Sequence, residues 1–437
     1  MDAQTILELK PALTGYLKTF EDCMGRVTNR DHLETYVRGQ LSDLERKSVE
    51  PIADAAGESP RTLQEFLSLL RWDEEAVRDR LQQRVAQKHT HSQSVGVIDE
   101  TSFAKKGKKT ACVQKQYCGS LGKLENCVVS VHLGYAAGDF HTLLDGDLFL
   151  PEGTWHADRD RCHEAGIPDD VVYRPKWQIA LEQIRRALSN GVRFAWFTFD
   201  EYYGGTSEFL RELEALGQNF VAEIPKSFYG WTQPPEILHR HHARDGESAP
   251  ARRRQPKLKV KNAKVGQVCN VLKHSPLLRQ VPWEKYRVKD TTQGPLIVEA
   301  KRMPFWIKDQ DGLPSRAYPL IMVRPVLHPD EVKYFLSNAP QSAPLEVLLL
   351  VAYSRWPIER LFEDSKGELG MDHFEVRKYL SICRHLILTC VSLLFLAEFR
   401  RKHGGKKSRP YGQPVADRHP RARAAVASRR PMLAHAG

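Results

Sequence analysis

At 437 residues, 41% of them hydrophobic, with a mean hydropathy of −0.48 and a formal net charge of +11, the chain is long enough for two or three domains and carries an excess of base that suits a polyanionic partner. Its longest apolar run, Leu386 to Ala397, is shorter than the roughly 20 residues a membrane span requires. The opening MDAQTILELK has no basic region ahead of an apolar core, and eight scattered cysteines without a C-x-x-C pair indicate neither a zinc framework nor a disulfide scaffold, so a cytoplasmic protein is expected.

Residues 1–90 read as a helical domain, with leucines and aromatics three and four apart in LKPALTGYLKTF, HLETYVRGQLSDLERKSV and TLQEFLSLLRW. Within it, PIADAAGESPRTLQEFL predicts a short helix, a turn at Gly57, Ser59 as N-cap and Pro60 opening the next helix. That outline fits a helix-turn-helix and equally a plain helical hairpin; DNA reading would need Arg61 to face a groove. After the connector QKHTHSQS, VGVIDE (95–100) predicts a strand ending in an acid and CVVSVHLGYA (127–136) belongs to a strand meander. KWQIALEQIRRALSNG is a helix stopped by Gly191, RFAWFTFDEYYGG (193–205) another strand ending in an acid, SEFLRELEALG a helix and NFVAEIP a third strand. Strand, crossover helix, strand is the order of an α/β sheet, where ligands collect at strand ends. Residues 226–340 are proline-rich and basic, with short strands such as PLIVEAKRM and YPLIMVRP, and read as a β-rich insertion with a mobile basic loop around 239–257. ARRRQPKLKVKNAK (251–264) contains no acid. The helices PLEVLLLVAY and YLSICRHLILTCVSLLFLAEF return to core, and from Arg400 onward eleven Lys or Arg stand against the single Asp417 in a stretch without periodicity, which reads as a disordered basic tail.

The segment VAYSRWPIERLFEDSKGELGMDHFEVRKY (351–379) carries the most chemistry. Pro357 suits only a first helical turn, so a helix begins there. Ile358, Leu361, Phe362, Ser365 and Leu369 form its buried stripe, with Glu359, Glu363 and Lys366 beside it at i, i+4, i+7. Glu359 lies in the first turn, where the helix dipole favours a charged carboxylate and hence a metal ligand; the same spacing also suits an ordinary solvated face with i,i+4 ion pairs. Together with the strand-terminal Asp99 and Asp200, Glu359 supplies the hard oxygen donors that a pair of Mg²⁺ ions needs for phosphoryl transfer.

VIDETSFAKKGKKT, QYCGSLGKLENC, LFLPEGTW, FTFDEYYGG and RWPIERLFEDSKGELGMDHFEVRKY resemble successive landmarks of the DDE transposases of bacterial insertion sequences, in the group with a Tyr-Arg-Glu-Lys signature. Arg355, Glu359 and Lys366 keep that group's spacing; Tyr353 departs from it, with one residue rather than two before Arg355. The resemblance implies an α/β, RNase H-like catalytic core over 91–225 and 341–400, interrupted by the β-rich insertion 226–340 and flanked by the helical domain 1–90 and the tail 401–437. It implies Asp99, Asp200 and Glu359 as catalytic ligands of two Mg²⁺ or Mn²⁺ ions. Arg355 and Lys366, with Tyr353, are then expected on transposon-end phosphates, and Lys105, Lys106 and Arg377 are further DNA contacts, the first two alternatively a solvated basic loop. The implied partners are double-stranded DNA, as inverted-repeat ends and target, and a second copy of the chain in a synaptic complex, in the bacterial cytoplasm at the nucleoid and away from any membrane. Two rivals remain at this point: a related metal-dependent DNA nuclease that does not join ends, and a catalytically defective derivative that only binds DNA.

Overall fold

The computed structural model describes residues 3–238, 256–260, 263–291 and 294–403. Most of the basic loop around 239–257 and nearly all of the basic tail therefore lie outside the described residues. In chain order the elements are α1 (Ala3–Leu17), a 3₁₀ turn (Lys18–Met24), α2 (Val27–Leu41), α3 (Val49–Ala56), α4 (Pro60–Ser68), α5 (Glu74–Lys88), strands β1 (Val95–Ala104), β2 (Gln114–Cys118), β3 (Lys123–Ala137) and β4 (Phe140–Leu148), then α6 (Arg159–Glu164), α7 (Lys176–Ser189) and β5 (Trp196–Phe199). There follow α8 (Glu201–Gly204), α9 (Ser207–Ala215), β6 (Phe220–Ile224), the two-residue strands β7 (Tyr229–Gly230), β8 (Ile237–Leu238), β9 (Lys257–Leu258) and β10 (Gly266–Gln267), helices α10 (Val268–His274) and α11 (Pro276–Gln280), β11 (Glu284–Thr291), β12 (Gly294–Phe305), β13 (Tyr318–Pro325), β14 (Lys333–Ser337), α12 (Leu345–Ala352), α13 (Trp356–Gly367) and α14 (Tyr379–His403). The fold is mixed α/β, as expected.

The described residues form two compact units, 3–199 with 211–218 and 353–403, and 200–210 with 219–352. In the first, the strand order is β5-β1-β3-β2, with β4 also on β3. β1 runs parallel to β5 and antiparallel to β3. In the second, β11, β12, β13, β14 and β6 make an antiparallel sheet in that order.

α14 is the centre of the first unit. Every residue from Ser381 to Phe395 is buried, so the helix is enclosed on all sides, as a core helix must be. It is long and apolar enough to pass for a membrane span by length and composition alone; here β4 and the helices α1, α2, α4 and α5 cover it. Each fully buried Leu386, Leu388, Val391 and Leu394 contributes roughly 1.5–3 kcal/mol. Its polar groups find partners in the N-terminal helices: Tyr16 Oη donates to the Val391 carbonyl at 2.9 Å, Gln40 Nε2 to Thr389 Oγ1 at 2.9 Å, and Arg384 to the carbonyls of Leu70 and Trp72 at 2.9 and 3.0 Å. The expected turn between α3 and α4 is present, with Gly57 left-handed at φ 70° and Pro60 opening α4. All eight cysteines are free thiols, seven of them buried.

Candidate functional site

β1 extends past the acid predicted to end it, because β3 pairs with it continuously from Val95 opposite Ala136 to Ala104 opposite Cys127. Asp99 therefore stands in mid-strand, opposite His132. Strand alternation sends its neighbour to the other face, where Glu100 is held by Lys176 of α7.

α13 lies over the Asp99 face. Its helix starts at Trp356, a residue ahead of the expected position, because Pro357 in the first turn needs no N–H. Ile358, Leu361, Phe362 and Ser365 are buried, as the stripe predicts. Two glycines shape the seat. A Cβ on Gly134 of β3 would meet Ile358 Cδ1 at 3.3 Å, and one on Gly146 of β4 would fall 2.4 Å from the His132 ring. That ring, held between Ser130 Oγ at 2.6 Å and the Asp145 carbonyl at 3.1 Å, meets Phe362 edge to face at 5.3 Å. Burial pushes the His132 imidazole down to about 4, so it packs as a neutral ring.

This packing brings the first turn of α13 to Asp99. Arg355 Nη1 donates to Asp99 Oδ2 at 3.3 Å and its Nη2 lies 3.2 Å from Glu359 Oε1. One guanidinium thus spans the strand acid and the helix acid. Lys366 sits two turns along, its Nζ donating to the Ser102 carbonyl at 3.2 Å, and burial lowers its ammonium pKa. Tyr353 and Arg355 are half-buried.

Asp200 belongs to the second unit, where it caps α8: its Oδ1 accepts from the N–H of Tyr202 at 3.1 Å and of Tyr203 at 3.4 Å. Gly204 closes that turn against β6, since any Cβ there would lie 1.9 Å from the Glu223 carbonyl oxygen. Among the described residues no group of three or more His, Cys, Asp or Glu is arranged to hold a metal ion. Asp99 and Glu359 do fit such an ion in chemistry, as hard oxygen donors already gathered on one cation.

The basic residues expected near DNA divide. Lys105 Nζ donates to the Phe374 carbonyl at 2.7 Å and lies 3.4 Å from the centre of the Phe374 ring, with burial pushing its pKa down to about 8. It fastens the 372–374 loop to the end of β1. Lys106 and Arg377 are exposed. Glu363 is 3.3 Å from Arg360, and His373 Nδ1 accepts from the Lys47 N–H at 3.0 Å. Trp283 carries Arg324 and Lys301 over its ring at 4.2 and 4.6 Å, and Trp231 is buried.

One cluster escaped sequence reasoning. Arg78 of α5 enters the core and reaches Asp145 at 2.6 Å and Asp147 at 2.8 Å, while Gln183 of α7 donates to Asp147 at 2.9 Å. Burial pushes the Asp145 carboxyl up; at Asp147 burial is outweighed by the Arg78 charge, which holds the carboxyl low. Its signal was legible: LLDGDL places two acids at i and i+2, on one face of an otherwise apolar strand.

Comparison with known proteins adds lineage to this geometry. The family described as DDE superfamily endonuclease matches residues 19–295, well over half of the chain, a span that includes Asp99 and Asp200 and ends before α13. The chain is also 26% identical over 349 residues, 79% of its own length and 76% of the other's, to a protein of Microchaete diplosiphon described as a probable transposase for insertion sequence element IS701.

Proposed function

Since this chain belongs to the DDE superfamily endonucleases, we propose that it is an insertion-sequence transposase that cuts DNA at the inverted-repeat ends of its element and joins the freed 3′-hydroxyl to target DNA. The observation that carries the reading is Arg355 holding Asp99 and Glu359 together, which unites a strand acid and a helix acid far apart in sequence. Asp200 is added as a third donor on the family resemblance alone; such a set would hold two divalent ions, Mg²⁺ or Mn²⁺, which would supply activation of the attacking oxygen and stabilisation of the leaving one. The protein's part is to hold those carboxylates, and to bind and align the phosphodiester through Arg355 and Lys366 so that attack is in line. Water is the first nucleophile and leaves a 3′-hydroxyl; that hydroxyl is the second and exchanges one phosphodiester for another, with no covalent enzyme intermediate. In this reading residues 91–225 and 341–400 are the catalytic core, 226–340 its insertion, and the helices of 1–90 assist DNA binding, with two copies of the chain acting together in the synaptic complex.

The test uses purified Asp99→Ala, Asp200→Ala and Glu359→Ala. Each is expected to lose strand cleavage by at least about a thousandfold while retaining end binding. Wild-type cleavage by any of the three removes that residue from the site. A strand-transfer assay with a pre-cut 3′-end separates a transposase from a nuclease that cuts without joining.

A further inference from the structure

Resting on the proposed role of Asp99 and Glu359 as cation ligands, we propose that Arg355 is their built-in counter-ion, which must be drawn off by a DNA phosphate before a divalent cation can take both carboxylates. The guanidinium uses both terminal nitrogens here, Nη1 at 3.3 Å on Asp99 Oδ2 and Nη2 at 3.2 Å from Glu359 Oε1. The three side chains are 14%, 25% and 48% exposed for Asp99, Arg355 and Glu359, so the pairs are accessible to exchange without being fully screened.

The chemistry of the group supports an exchange. An arginine fork fits carboxylate and phosphate with the same donors and keeps its charge throughout. While it spans the two acids it offsets their mutual repulsion and competes with any cation for the same oxygens. A phosphate that recruits the fork removes this competing cation from both carboxylates, whose affinity for a divalent ion rises. Phosphate at Arg355 and cation at the carboxylates then strengthen each other reciprocally. The effect ties cation loading to the presence of DNA.

Mn²⁺ binding to the full chain, measured by electron paramagnetic resonance with and without a short DNA duplex, tests this without reading activity. Without DNA, Arg355→Ala is expected to bind Mn²⁺ about fivefold to tenfold more tightly than wild type, the size of two partly exposed ion pairs removed. Arg355→Lys, a point charge unable to span both acids, gives a smaller gain and serves if the alanine variant fails to fold. The duplex should tighten Mn²⁺ binding more in wild type than in Arg355→Ala. Asp99→Ala reports on the underlying site and is expected to weaken Mn²⁺ binding. If Asp99→Ala weakens it but both Arg355 variants match wild type, or if the duplex helps wild type and Arg355→Ala equally, the counter-ion role is wrong while the cation site stands. If Asp99→Ala binds as wild type does, the cation site itself fails, and this inference with it.

Discussion

Gly146 and His132 show how a single missing side chain sets the floor under α13. The imidazole fills the space a Cβ would occupy, 2.4 Å away, and presents its edge to Phe362. Gly146→Ala is therefore expected to destabilise the fold by about 1–3 kcal/mol through overpacking, and by less in a His132→Ala background, where the added methyl has room. Chemical denaturation of the four proteins of that cycle checks it; equal costs in both backgrounds would show that the two residues do not compete for the space. Lys366 raises a different issue, because its ammonium is engaged with a backbone carbonyl and partly desolvated. If it also meets a DNA phosphate, Lys366→Ala lowers the slope of log affinity against log salt by about 0.9 in magnitude. Titration of duplex binding at several salt concentrations gives the answer, and an unchanged slope removes Lys366 from the phosphate contacts.

At the scale of elements, the site depends on how two helices are fixed. α13 is seated by Ile358 and Phe362 on strands β3 and β4, and α14 is tied at its far end to α5. There Arg84 donates to both oxygens of Glu398, at 2.8 and 2.6 Å, and His89 lies 3.1 Å away. Burial alone would raise the Glu398 carboxyl, but His89 and Arg84 outweigh it and hold the pKa at about 2. A folded-state pKa below the unfolded value of about 4.3 contributes stability that is complete above that value and lost as pH falls toward 2. Wild type should accordingly lose roughly 2–3 kcal/mol across this window from this group. Glu398→Gln should be less stable at neutral pH and lack that part of the acid dependence; denaturation midpoints at pH 6 and pH 3 measure it, and parallel losses in both proteins would contradict the assignment.

For the whole molecule, the net charge of +11 matters through its distribution. The tail beyond His403 contains eight Lys or Arg and one Asp, and α14 ends before it. A chain truncated after His403 is expected to keep its melting temperature and to bind duplex DNA more weakly, with a salt slope reduced by about 0.9 for each phosphate those residues neutralise. A slope identical to that of the full chain would mean that the tail does not engage DNA.

Local rules sufficed for much of this protein. The stripe on α13, the turn at Gly57 with Pro60 opening α4, and the strands VGVIDE and YPLIMVRP follow from periodicity and turn chemistry, which depend on residues a few positions apart. The candidate acids Asp99 and Glu359 were legible too, from their places beside apolar runs and from the spacing to Lys366. What periodicity could not supply was everything set by partners distant in the chain. The length of β1 depends on β3, which carries it five residues past Asp99. Arg355, expected on phosphate, also reaches two carboxylates here, because the Gly134 contact lets Ile358 bring α13 down onto the sheet. Lys105, read as a surface base, became a clasp because the loop at 372–374 offers it carbonyls and a ring. A long side chain takes whichever partner packing delivers, and only the assembled tertiary structure decides which one that is.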